Sequence, residues 1–177
     1  IAKRLVQLGA VAQLQGAFES AATHFATAYN LYNTADLHSE MAPLLHNCAV
    51  LAQKQANYER AEPYCRQSLA INMQRNNPRM MARNLGQLGI LKTQQGAWES
   101  AEQFLFQGMH IAQTLHDPVS LNILATHLAY NYEMQARWDD VIAVLNAIIA
   151  HAEMWQLPDL ARDRAKLEAV QSMLKAD

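Results

Sequence analysis

Two pairs of glutamates, Glu59 with Glu62 and Glu99 with Glu102, stand three residues apart. On a helix that spacing puts both carboxylates on one face, as paired acid and base catalysis would need. Cys48, Cys65 and seven histidines supply groups for nucleophilic or metal chemistry. Neither chemistry assembles. The histidines are scattered, none has a zinc-ligand spacing with either cysteine, and His24, His46 and His127 read as helix-surface or packed side chains. No glycine-rich phosphate loop follows a strand, and no serine or cysteine has a nucleophile's setting. The glutamate pairs recur forty residues apart beside packing residues, so they read as surface electrostatics. The sequence predicts no catalytic residue, no metal and no cofactor.

One charge feature points to binding. Arg75, Arg79 and Arg83 are spaced by four, crossing the turn at Asn77-Pro78 and continuing on the helix after it, which would make a basic rim for an acidic peptide; the plain alternative is a solvated face. The chain as a whole has a formal net charge of -2, with no bias toward nucleic acid or an anionic membrane. Its aromatics fall at packing positions rather than between the arginines, so no nucleic-acid partner is expected.

The elements that must position these groups are written as a repeat. GAFESAA at 16–22 returns as GAWESAE at 96–102, with echoes in ANYERAE at 56–62 and ARWDDVI at 136–142. The ruler is forty residues. Gly16, Ala56, Gly96 and Ala136 precede a tight turn; Phe18, Tyr58, Trp98 and Trp138 place an aromatic just after it; Ala21, Ala61, Ala101 and Val141 allow close helix approach. Upstream, Gly9, Ala49, Gly89 and Ala129 are again small. Small residues at both columns let two helices pack while the aromatic fills the gap beside them. Asn77-Pro78, Asp117-Pro118 and Leu157-Pro158 recur on the same ruler, with proline in the first helical turn and Asn or Asp able to cap it.

The chain is 51% hydrophobic with six glycines and five prolines among 177 residues, a profile that favours helices. The reading is all-α. Units span about 1–37, 38–77, 78–117 and 118–157, each an A helix (near 2–15, 39–54, 79–94, 119–134) followed by a B helix (near 18–33, 58–74, 98–114, 138–154). A further helix lies near 159–175, within 158–177. Stacked pairs bury apolar faces that a lone pair leaves open, producing a right-handed solenoid.

These columns resemble the tetratricopeptide repeat family. Leu8-Gly9 and Leu88-Gly89 match its upstream pair; Gly16, Phe18 and Ala21, and Gly96, Trp98 and Ala101, match its later Gly-x-aromatic-x-x-Ala portion. Phe25, Cys65, Leu105 and Leu145 fall at its following large-residue site. The forty-residue period is longer than the usual thirty-four and is similar to kinesin light-chain repeats and to arrays in bacterial signalling regulators. The resemblance implies a right-handed α-α superhelix of about four helix pairs plus a C-terminal helix, with part of each A helix on a concave wall. On that wall it would place Gln7, His46, Asn47, Val50, Arg83, Gln87, Ile90, His127 and Tyr130 as peptide-contacting residues, where amides can serve a peptide backbone. The carboxylate clamp of chaperone-binding relatives is poorly matched, with Val6 and Ala10 where basic and amide groups would stand.

The function implied is a non-catalytic scaffold that binds a protein or peptide. The alternative is a sensor array that binds a signal peptide or small ligand and controls an attached output domain; self-association through an open apolar end is a third. Helix 159–175 is expected to cap the stack, and the first helix to begin before Ile1. With no signal peptide, no eighteen-residue apolar run and two unpaired cysteines, the expectation is a cytoplasmic chain with no membrane partner.

Overall fold

The computed structural model describes residues 1–176. Among them the chain forms α1 (Ala2–Leu14), α2 (Phe18–Thr34), α3 (Ala42–Lys54), α4 (Tyr58–Gln74), α5 (Pro78–Gln94), α6 (Trp98–Thr114), α7 (Pro118–Glu133), α8 (Trp138–Trp155) and α9 (Leu160–Ala176), with a 3-10 turn at His38–Glu40. No strand occurs among the described residues. Each odd helix pairs with the even helix after it, and the pairs stack in chain order. The odd helices α1, α3, α5 and α7 also touch one another in succession, forming one wall of an α-solenoid.

The turns obey a ruler half as long as the sequence repeat. Gly16, Asp36, Ala56, Asn76, Gly96, His116, Ala136 and Gln156 all have positive φ. They stand twenty residues apart. At each, the left-handed residue's N–H and the next N–H bond back into the preceding helix: Gly16 to Gln13 O and Ala17 to Ala12 O in the first, Ala136 to Glu133 O and Arg137 to Tyr132 O in the seventh. This is a Schellman cap, which ends one helix and aims the next. Glycine occupies only two of the eight positions, so six L-residues carry the strain of that conformation.

The buried face of each B helix follows a strict column. Ala21, Ala61, Ala101 and Val141 are fully buried, and Phe25, Cys65, Leu105 and Leu145 lie one turn on, at most 2% exposed. Opposite them the A helices carry the small column. A Cβ added to Gly89 would lie 2.6 Å from Leu105 Cγ, so only glycine admits that leucine. Phe18, Tyr58, Trp98 and Trp138 are half-buried rather than enclosed, and Phe18, Tyr58 and Trp138 pack against the edge of the buried core.

One helix start lies three residues from the sequence expectation. Helix α3 begins at Ala42 instead of near 39, and the turn at His38–Glu40 takes the intervening residues. Pro43 sits in the first turn of α3, where it has no N–H to extend the helix backward, and His38 lacks the cap that serves its neighbours. Asn77 and Asp117 do cap α5 and α7, accepting from Met80 and Ser120 N–H groups at 3.4 and 3.0 Å. Asn57 caps α4 in the same way at 3.1 Å. At the far end, α9 packs on α8 and adds Val170 and Leu167 to the core of the last units.

Candidate functional site

Helices α3, α5 and α7 enclose a groove of about 390 Å³ on the odd-helix wall. His46 and Val50 come from α3, Arg83, Gln87 and Ile90 from α5, and His127 from α7. These six were expected on the concave wall, and the stacking of three A helices brings them to one place. Gln7 lies a unit away on α1 and is exposed; Asn47 and Tyr130 are half-buried and outside the groove lining.

The groove has an apolar floor that the family pattern alone does not reveal. Met80, Gly86, Ile123 and Leu124 line it. A Cβ on Gly86 would meet Leu124 Cδ2 at 2.6 Å, so the leucine fills the place of the missing side chain. The ruler held a signal for this position, since His46 and Thr126 flank Gly86 at intervals of forty and the column narrows to a hydrogen atom at its centre.

Beneath the floor runs a buried polar chain. His46 Nδ1 lies 3.0 Å from Asn84 Oδ1, Asn84 Nδ2 donates to Ser68 Oγ at 3.0 Å, and Ser68 Oγ donates to Ala42 O at 2.8 Å. Asn84 is fully buried and stands in the column where the units before and after it have Leu44 and Leu124. Burial, with the Arg83 guanidinium adding to it, pushes His46 down to about 4. Burial also lowers His127. At neutral pH both imidazoles are uncharged, and the groove's charge is that of its arginines.

The amides are partly spoken for. Gln87 donates to Gln53, and Gln53 donates to Gln94 at 2.9 Å, so a relay links α3 with α5. The arginine row also divides. Arg75 ends α4 and turns to Ser39 O at 2.8 Å and Glu40 at 3.1 Å, tethering the 3-10 turn. Arg79 lies 3.4 Å from Asp117 and lines the groove beside Arg83. The turn at Asn77-Pro78, which the spacing of four crosses, separates Arg75 from Arg79 and Arg83 on α5. Arg83 joins none of the ion pairs among the described residues, and no carboxylate lines the groove.

The glutamates first considered for acid–base work are held elsewhere. Glu59 and Glu99 are exposed. Glu62 and Glu102 do not simply face water, as their column suggested, but sit in seams between units. Glu62 lies 2.7 Å from both Lys92 and Arg66; Glu102 lies 2.7 Å from Arg137 and accepts from Tyr132 Oη at 3.3 Å. Burial raises the Glu62 carboxyl, but the hydrogen bonds from Lys92 and Arg66 outweigh it and hold the group below the usual range. It is an ionised anchor. Cys48 and Cys65 are free thiols, raised by burial to about 11 and 12, which leaves neither as a thiolate nucleophile at neutral pH. Among the described residues no three metal-binding side chains converge, and no helix is long and apolar enough to cross a membrane.

The stacked hairpins and their concave groove define an α-solenoid of the tetratricopeptide type, and comparison with known proteins agrees. Residues 44–79 match the tetratricopeptide repeat family, the stretch holding His46, Ala49, Tyr58 and Ala61. Among solved structures the chain is similar to BtubC from P. vanneervenii, with 18% identity over 88% of this chain and 64% of that one, TM-score 0.79. It is similar to a Rap protein solved with Competence and Sporulation Factor, with 14% identity over 94% of this chain and 47% of that one, TM-score 0.80. It is also similar to nearly identical TPR-like repeats from Podosopora anserina, with 16% identity over 98% of this chain and 91% of that one, TM-score 0.73. The chain thus spans less than two thirds of the first two. A search of curated proteins finds no match.

Proposed function

We propose that this chain is a non-catalytic module that binds a short protein segment in the groove between α3, α5 and α7, and that the segment carries an acidic residue for Arg83. The observation that carries the reading is the groove's composition: Val50, Met80, Ile90, Ile123 and Leu124 as apolar lining, with two arginines and no carboxylate among the lining residues. Burying apolar side chains supplies most of the affinity in such grooves, while the charge sets orientation and speeds encounter. Gln87 and Gln53 retain acceptor and donor capacity that a peptide backbone can share. Arg75 drops out of the basic rim, and Arg79 contributes part of its charge.

A second reading, a sensor that takes a signal peptide and controls an attached output domain, draws support from the likeness to a Rap protein solved with a factor bound. Both readings use the same groove and differ in what adjoins the array. Selection of a random displayed peptide library on the protein tests the shared part. Enrichment of peptides pairing an Asp or Glu with apolar residues, competed away from wild type and lost on Ile90→Asp, supports it. Selected peptides with no acidic preference, or bound equally by Ile90→Asp, would remove it.

A further inference from the structure

The seam between the first two units lacks what closes the others. Between α4 and α5, Lys92, Glu62 and Arg66 form an ion-paired bridge, and the Arg66 guanidinium reaches toward α6, 5.5 Å from the Phe104 ring centre. Between α6 and α7, Glu102 with Tyr132, and with Arg137 in the turn after α7, does the same work. Forty residues upstream of Glu62, Arg66 and Lys92 the chain has Ala22, Ala26 and Ala52. Three alanines stand where a charged bridge should be.

Their methyl groups, too short to bridge, leave a cleft of about 440 Å³ among α2, α3 and α4. It opens on the side of α3 opposite His46 and Val50, because Cys48, Leu51 and Ala52 lie roughly half a helical turn away from them. Phe25 and Leu51 form its floor, and Tyr29 and Tyr64 stand at its sides. Arg60 is its only charged lining residue, and it joins none of the ion pairs among the described residues. The protonated Cys48 thiol adds a weak donor and no nucleophile.

We propose that this outer cleft is a second binding site, for a small amphipathic carboxylate whose ring-sized apolar body replaces the missing bridge side chains and whose carboxylate meets Arg60. The volume lies in the range of small-ligand sites. The tyrosines offer flat apolar faces with polar tips at the rim, and a guanidinium pairs with a carboxylate through two parallel hydrogen bonds. The site is independent of the inner groove: it shares no lining residue with it.

The test uses 2-naphthoate and its neutral analogue 2-naphthamide, titrated into the isotopically labelled chain at millimolar concentration and followed by amide shifts. The account expects naphthoate to move resonances of α2, α3 and α4 around Ala22, Ala26 and Ala52. Naphthamide, or naphthoate on Arg60→Gln, should bind about tenfold more weakly, the loss of one charge-assisted pair. The double variant Ala22→Glu/Ala52→Lys, which copies the Glu62–Lys92 bridge into the cleft, should abolish the shifts while melting no lower than wild type. Shifts confined to the inner groove, no saturable shift, or equal binding of naphthoate and naphthamide would overturn the proposal. Arg60 is exposed, so Arg60→Gln keeps the test decisive even where the double variant folds poorly.

Discussion

Lys92 Nζ lies 2.7 Å from Glu62 Oε2, tying α5 to α4 across a seam where both side chains are less than a fifth exposed. Arg66 reaches the same carboxylate from α4 itself. Charge pairs with this much burial count for more than surface pairs, because removing one partner leaves the other short of both water and counter-charge. Lys92→Ala is expected to lower unfolding free energy by about 1–2 kcal/mol, since Arg66 still serves the carboxylate. Urea denaturation at neutral pH measures it, and a change near zero would make the seam ornamental.

His46 gives the fold a pH signature of its own. Its folded pKa of about 4 lies below the unfolded value of about 6.5, so the unfolded chain takes the proton first. The stability that depends on a neutral His46 is fully present above the unfolded value and falls as pH drops through 6.5 toward 4. The linkage relation puts the loss at about 2 kcal/mol by pH 5. Urea midpoints between pH 7 and pH 5 should fall more steeply for wild type than for His46→Gln. His127, lowered in the same direction by burial, accounts for slope that the variant retains.

The left-handed caps predict gains from substitution. Ala56 and Ala136 have φ of 55 to 56°, a conformation that costs an L-residue about 1–2 kcal/mol and glycine almost nothing. After the entropy glycine loses, Ala56→Gly and Ala136→Gly are each expected to stabilise by about 0.5–1 kcal/mol. Thermal melts of the singles and the double check this; the two turns are far apart, so the increments should add.

The fold was legible because the columns that build it recur without insertion: Ala21, Ala61 and Ala101, and the prolines at 78 and 118, fix both helix count and register. What the forty-residue ruler hid was the twenty-residue one, since Asp36, Asn76 and His116 look nothing like Gly16 yet share its backbone conformation. The site was legible in part. Family register placed His46, Val50, Arg83, Gln87, Ile90 and His127, but which of them share a groove depends on Gly86 and Leu124 interlocking between helices, a contact no linear spacing encodes. Of the arginine row, which crosses the turn at Asn77-Pro78, Arg79 and Arg83 stay together on α5 while Arg75 is held by Ser39 and Glu40. The outer cleft was invisible for the opposite reason: it is made by residues that are small.

In the proposed function, the inner groove binds an acidic segment through Arg83 beside its apolar lining. The most direct test of that reading is the affinity of a library-selected acidic peptide for wild type, Arg83→Glu and Arg60→Glu, by fluorescence anisotropy at low and high salt. The account predicts at least about a tenfold loss for Arg83→Glu that shrinks as salt rises, with Arg60→Glu close to wild type. Equal affinity of wild type and Arg83→Glu at low salt would contradict it.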